Sequence, residues 1–246
     1  MKWLLVFACL CGDPEWITVP VLRPMEKVQG STHLADIESR MPAGHHYAFP
    51  TMPMTWGHMA THGLSSNLRQ RNLGCNVLYV MDGKACVIRE PKGRLSAIAR
   101  LIPPKLRGPS FQLHLIEQPR YWEYEPTYLL DEWMACTNGS LVGREVKENG
   151  WHYELLQAIN FCVYSLVMAN SICGSDPQYD HTQLRAFIAW NAERTMKIWN
   201  ELDASGVDDT HVRQIRAYLQ EWRTGTKSAS LREFAMKYLG QPLLGE

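Results

Sequence analysis

The sequence predicts an α+β fold, with a small mixed β/α lobe at residues 15–126 followed by a mainly helical lobe at residues 127–246. The composition changes once, near Pro126, from a part rich in Pro, Gly and His with short β-like runs to a part with long helical periodicities. No stretch has the composition of a flexible linker, and 246 residues are enough for one substantial core. We therefore expect a single domain over residues 15–246.

The first lobe contains one clear hairpin. Two runs of β-forming residues, 76–81 and 84–89, flank the dipeptide Asp82-Gly83, which suits a tight primed turn. Strands are also predicted at residues 15–22 and 111–117, and helices at residues 55–70 and 95–102, the latter ended by Pro103-Pro104.

Helical periodicity dominates the second lobe. The long apolar stretch beginning at Trp151 ends at the helix-breaking sequence Gly174-Ser175-Asp176-Pro177. Asp208 or Asp209 has the residue type of an N-cap, and so does Ser230. Helices are predicted at residues 128–142, 151–172, 181–202, 209–222 and 231–239.

The N-terminus permits two interpretations. Lys2 precedes the apolar run 3–11, which resembles the start of a signal peptide, and Asp13 and Pro14 cut that run short. Residues 1–14 are therefore either a short signal for export or a buried first segment of the fold, and the compartment stays open. In an exported protein, Cys75 and Cys86 at the hairpin would be candidates for a disulfide.

Charge and hydropathy exclude two classes of partner. The formal net charge is zero and no basic run stands out, so we expect no nucleic-acid partner and no bulk charge that would attract the chain to an anionic membrane. Apart from the N-terminal run, no stretch is apolar enough to cross a bilayer, so we expect no transmembrane span.

Two histidines in the predicted helix 55–70 stand four residues apart. At that spacing His58 and His62 project from one face of the helix and can bind one metal ion. A zinc-peptidase helix has the pattern H-E-x-x-H, in which the glutamate after the first histidine is the general base. Here Met59 occupies that position, and a thioether cannot accept a proton from water. The alternative is a histidine pair on a surface helix that binds no metal.

Two adjacent acids, Asp131 and Glu132, interrupt an otherwise apolar helix. A buried carboxylate is costly unless it is paired or bound to a cation. Together with the histidine pair, the Glu-Trp-Met-Ala sequence at residues 132–135 resembles the gluzincin branch of zinc metallopeptidases. That family takes two zinc ligands from its histidine helix and a third from a glutamate on a downstream helix, so the resemblance implies a zincin-like fold.

The resemblance also implies a role for each site residue. One zinc ion would be bound by His58, His62 and Glu132. Asp131 would orient one of the histidines, and Tyr128, one helical turn before Glu132, would line the cleft. We therefore expect a zinc-binding metallopeptidase-like protein with weak or no peptidase activity, whose cleft binds a peptide or a protein.

Two other functions fit the same sequence. The first is an active metallohydrolase whose base is another carboxylate, for which Glu90, Glu117 and Asp131 are candidates. The second is a metal-free helical interaction protein, in which the histidines are incidental and Glu132 pairs with an arginine. The candidate arginines are Arg100, Arg107 and Arg120.

His45 and His46 are interpreted as loop residues, with a replacement metal ligand as the alternative.

Overall fold

Helices make up most of the described chain. The structure, a computed structural model, describes residues 13–43 and 52–245. The predictions for residues 1–12 and for His45 and His46 lie outside the described residues. The α-helices are α1 (Thr32–Glu38), α2 (Pro53–Arg69), α3 (Leu95–Leu101), α4 (Pro119–Trp122), α5 (Tyr128–Glu145), α6 (Trp151–Ser175), α7 (Thr182–Ala204), α8 (Thr210–Thr224) and α9 (Ala229–Leu239). Short 3-10 turns cover Pro104–Leu106 and Thr226–Ser228.

Three antiparallel strands form the described sheet: β1 (Trp16–Thr18), β2 (Cys75–Tyr79) and β3 (Lys84–Arg89), in the order β1-β3-β2. The α+β class and the predicted hairpin are confirmed. Asp82 and Gly83 both have positive φ, at 54° and 70°, as a primed turn requires. The strand predicted at residues 15–22 is shorter than expected, because only three of its residues pair with β3.

Two sequence predictions are wrong, and the disulfide that export would have allowed between Cys75 and Cys86 is not formed. Residues 111–117 are not a strand, because a π-helix covers Gln112–Glu117 and Gln118 N–H donates to the Leu113 carbonyl at 2.9 Å. Cys75 and Cys86 are both free thiols, and in the hairpin register they face Arg89 and Leu78 rather than each other. The cap of α9 is also displaced, since that helix begins at Ala229, before Ser230. The Asp209 cap of α8 is confirmed by its bond from Val212 N–H.

The sheet is a layer between two groups of helices. Leu78 and Ile88 point into the large core that α5, α6 and α7 build. Val77 and Tyr79, on the opposite face, pack in a smaller cluster with residues of α1 and α2. Because side chains alternate along a strand, both faces of β2 and of the middle of β3 are buried, whereas the edge strand β1 is largely exposed.

Helix α6 lies at the centre of the large core. Among the described residues it is the one helix long and apolar enough to cross a membrane, and 83% of its most apolar 18-residue window is buried in the fold. The described part of the chain therefore lacks the several spanning helices of a multi-span membrane protein.

Glycines allow α2 and α5 to approach closely, which matters because these two helices carry the predicted metal ligands. A Cβ atom built on Gly57 of α2 would lie 2.8 Å from Val142 Cγ2 of α5. A Cβ atom on Gly139 of α5 would lie 3.3 Å from His58 Cβ. The small residues thus set the distance between the histidine helix and the glutamate helix.

Gly57→Ala is expected to lower the free energy of unfolding by up to about 2 kcal/mol. Overpacking against the fully buried Val142 costs about 1–3 kcal/mol, which exceeds the gain of about 1 kcal/mol from replacing a helical glycine. Urea titration of the variant measures the change. Adding Val142→Ala should recover part of the loss, because it removes the clash. Gly174→Ala is the matched control, since nothing lies within 4 Å of its added Cβ atom. Equal effects of both glycine variants would contradict the close approach.

A carboxylate of α5 holds the N-terminus of α1. Glu145 accepts bonds from the Ser31 hydroxyl at 2.6 Å, from Thr32 N–H at 2.9 Å and from His33 N–H at 3.2 Å. Desolvation raises the pKa of the Glu145 carboxyl, but these hydrogen bonds outweigh it and hold that pKa well below its usual range. The contact fixes α1 to the helix that carries Asp131 and Glu132.

The stabilisation by Glu145 should depend on pH. Its pKa is depressed in the folded chain, so the stabilisation is fully present above the unfolded pKa of about 4.3 and is lost as the pH falls from there toward the folded value. We expect Glu145→Gln to lower the free energy of unfolding by about 1–2 kcal/mol at pH 7. Urea titrations from pH 7 to pH 3 should show this difference shrinking. The exposed Glu26, changed to Gln, is the control. If the difference in unfolding free energy between wild type and Glu145→Gln stayed constant with pH, the ionised Glu145 carboxylate would not be the group that stabilises the N-terminus of α1.

Candidate metal centre

The structure brings His58, His62 and Glu132 together between two helices. His58 and His62 lie one turn apart on α2, and Glu132 faces them from α5. The two Nε2 atoms are 3.1 Å apart. Glu132 Oε2 lies 3.5 Å from His62 Nε2 and 3.9 Å from His58 Nε2. Glu132 is not paired with Arg100, Arg107 or Arg120.

The three distances between these atoms match those expected between ligand atoms that bind one zinc ion. A circle through the three atoms has a radius of about 2.0 Å, and zinc lies about 2.0–2.2 Å from histidine nitrogen and carboxylate oxygen. One ion could therefore contact all three atoms without moving a helix. The two histidine rings are also in edge-to-face contact, with centroids 4.8 Å apart, as expected for rings aimed at one point.

Two further carboxylates orient the histidine rings. Asp131 Oδ2 lies 2.7 Å from His62 Nδ1, and Glu154 Oε2 of α6 lies 3.0 Å from His58 Nδ1. A carboxylate accepts, so each ring donates from Nδ1, and in its neutral form each ring keeps a lone pair on Nε2. Both lone pairs then point toward the Glu132 carboxylate. This carboxylate–histidine arrangement is the one that commonly supports metal ligands.

The electrostatic environment of His62 and Glu132 favours a bound cation. Burial raises the pKa of the Glu132 carboxyl, but His62, His114 and His58 outweigh it and hold that pKa below its usual range. Burial lowers the pKa of His62, whereas Asp131 and Glu132 together raise it well above its usual value. The three converging acceptor atoms thus favour a positive charge among them, supplied either by a proton or by a metal ion.

The π-helix borders the cluster. Its His114 is buried, with Nδ1 3.6 Å from Glu132 Oε1 and 2.7 Å from the Tyr128 hydroxyl. Burial lowers the pKa of His114. The Tyr128 ring thus lies beside His114, and Trp122 stacks on it with ring centroids 5.5 Å apart. Together these rings form one wall beside the ligands.

Sequence reasoning missed three residues of this site. Glu154 and Cys136 form a second group with His58 whose potential ligand atoms lie within 4.8 Å of one another. Glu154 could have been found, because it is an acid in an apolar helix, the signal that singled out Glu132. Cys136 gave no signal, since a buried cysteine usually behaves as a small apolar residue. His114 was hidden by the wrong strand prediction.

The proposed substitute bases are engaged elsewhere. Glu90 accepts from Thr127 N–H at 2.9 Å, and burial raises its pKa to about 7. Glu117 is exposed and accepts from Gln112 at 3.2 Å. Asp131 contacts His62. Met59, at the position of the usual base, is partly buried on α2.

No family model, no curated protein and no solved structure matches this chain.

Proposed function

We propose that the chain is a zinc-binding, zincin-like protein of gluzincin type, in which His58, His62 and Glu132 bind one zinc ion. The convergence of these three side chains, at distances that fit a single ion, carries the proposal. Zinc is favoured over calcium or magnesium because two of the three donors are imidazole nitrogens.

The surrounding residues prepare the ligands. Asp131 and Glu154 hold the two rings with Nε2 toward the centre, so little freedom is lost when the ion binds. Glu132 supplies negative charge from a largely buried position. A bound zinc ion would supply Lewis acidity, which polarises a carbonyl group and acidifies water.

Weak or absent peptidase activity is the second part of the proposal. Peptide hydrolysis needs a base beside the metal, and Met59 offers none. Glu90 and Glu117 contact other partners, while Asp131 is used to orient His62. The protein would then use its cleft to bind a peptide or a protein segment, beside the wall that His114 and Tyr128 form.

Metal analysis of the purified full chain tests the proposal. After zinc loading and dialysis, elemental analysis should find one zinc per chain, and His62→Ala or Glu132→Gln should abolish it. His181→Ala is the control, because that ring contacts Tyr179 and Tyr238 and belongs to neither candidate ligand group of the described residues. A folded wild-type chain without zinc, unchanged by these variants, would favour the metal-free interaction protein.

Glu154→Gln should weaken zinc binding by about 10–100-fold, the usual effect of losing a carboxylate that orients a metal ligand. The amide keeps the shape of the side chain but loses the charge that holds His58 Nδ1–H. Competition with a chromogenic chelator measures the affinity. Glu193→Gln is the control, since Glu193 is exposed on α7. An unchanged affinity would mean that Glu154 has no part in positioning His58.

A further inference from the structure

Five large apolar side chains are exposed on three short elements that pack together, α3, the π-helix and α4, and on the turn that follows α4. They are Leu101 (48% exposed), Leu113 (46%), Ile116 (51%), Tyr121 (62%) and Tyr124 (67%). We call this surface, with the cations among it, the basic–apolar face. Isolated exposed apolar residues are ordinary, but several on adjoining elements indicate an interaction surface.

The same face is strongly basic although the chain is neutral. Residues 92–124 contain six lysines and arginines and two acids, against a net charge of zero for the whole chain. Arg94 and Arg120 are exposed and stack on Tyr124 and Tyr121, at 5.1 and 4.6 Å from the ring centroids. Neither these arginines nor Arg100 forms an ion pair with a described carboxylate. Their charge is therefore available to an external anion.

A basic pocket of about 520 Å³ opens at the edge of this face. Lys92, Arg94, Tyr124 and Ser171 contribute cations and hydroxyl groups to its wall, whereas the Ser175 hydroxyl in the same wall donates to the Lys92 carbonyl at 2.8 Å. Glu90 also lines it, but its carboxylate oxygens bond to Thr127. Ammonium, guanidinium and hydroxyl groups together are the donors that bind a phosphate group.

We propose that the basic–apolar face docks the protein on an anionic phospholipid bilayer, with the pocket beside Arg94 receiving a lipid phosphate. Leucine and isoleucine would enter the acyl boundary, tyrosines would lie at the headgroup level, and arginines would contact phosphates. A nucleic acid fits less well, because it could stack on the tyrosines but would leave the three aliphatic side chains of the face exposed to water, whereas a bilayer buries them. Aliphatic side chains flanked by tyrosines and arginines are typical of proteins at a membrane interface, which favours a bilayer over a peptide.

The basic–apolar face does not depend on metal binding, although the π-helix contributes both to this face and to the surroundings of the candidate metal centre. The π-helix turns His114 inward to Glu132 and presents Leu113 and Ile116 outward. Docking would therefore hold the candidate metal centre close to the membrane surface.

Sedimentation of the full chain with vesicles tests the proposal. We expect binding to vesicles of equal parts phosphatidylcholine and phosphatidylserine and none to phosphatidylcholine alone. Raising the ionic strength from about 0.1 to 1 M should weaken binding, because the screening length falls from about 10 to 3 Å. The double variant Arg100→Glu, Arg120→Glu should weaken it more than about tenfold. Leu113→Ser with Ile116→Ser should also weaken it, without changing the charge.

Matched variants control for charge and hydropathy. Lys227→Glu with Lys237→Glu makes the same charge change on exposed residues of the α9 region, and Leu73→Ser with Val207→Ser removes exposed apolar side chains elsewhere. Both should bind vesicles like the wild type. Absence of vesicle binding, equal loss in test and control variants, or binding to single-stranded DNA but not to vesicles would overturn the proposal.

Discussion

Stripping zinc from the loaded chain is expected to lower its melting temperature by about 8–16 °C. A ligand present at 1,000 times its dissociation constant stabilises the folded state by about 4.1 kcal/mol. For a chain of this size, each kcal/mol corresponds to about 2–4 °C. The effect is large because the ligands come from α2 and α5, so the ion joins the two helices that pack at Gly57 and Gly139. Thermal unfolding with and without a strong chelator measures it.

His62→Ala gives this experiment its control. The variant should melt at one temperature with or without chelator, because it retains too few ligands to hold the ion. His181→Ala should respond to chelator like the wild type. A wild-type melting curve that chelator leaves unchanged, in a chain without zinc, would contradict the metal site and support the proton as the charge shared by His62 and Glu132.

The helices of the site could be predicted because their signals are local. Four-residue spacing places His58 and His62 on one face of any helix, whatever that helix packs against. An acid in an apolar helix is costly, so the residues around Glu132 are enough to imply that its carboxylate has a partner. The hairpin of β2 and β3 followed from Asp82-Gly83 for the same reason, since a primed turn is encoded in its own two residues.

The π-helix could not be predicted, because its pattern is misleading. Phe111, Leu113 and Leu115 are apolar at every second position, which is typical of a strand. In the structure Leu113 is exposed, whereas Phe111, His114 and Leu115 are buried. The contacts of His114 with Tyr128 and Phe161, residues distant in the chain, decide the outcome. These tertiary contacts therefore outweigh the alternating apolar pattern of residues 111–115, which by itself favours a strand.

Of the two carboxylates that contact the histidine rings, one could be predicted from the sequence and the other could not. Asp131 was predictable because it precedes Glu132 on the same helix, one position from the expected ligand. Glu154 lies 96 residues from His58, on a helix whose packing against α5 no local pattern specifies. The zincin-like part of the fold prediction rests on the two ligand helices alone and remains a proposal.

Met59→Glu is expected to raise chelator-sensitive peptidase activity by about 10²–10⁴-fold, the usual contribution of a general base. The substitution completes the H-E-x-x-H pattern on α2, directly after His58. Met59 is only partly buried, so a carboxylate there would have access to solvent rather than a closed apolar core. Hydrolysis of a fluorogenic peptide library by zinc-loaded protein, with and without chelator, measures the gain.

Two variants separate a gain in base catalysis from other effects. Met59→Gln has the length of glutamate without its basicity, so it should stay as inactive as the wild type. Met59→Glu with His62→Ala should also be inactive, since the metal is lost. Strong chelator-sensitive turnover by the wild-type chain would show that another group is the base and that the protein is an active metallohydrolase. If zinc-loaded Met59→Glu gains nothing, the site lacks more than its general base, and the restored H-E-x-x-H pattern is not enough for hydrolysis.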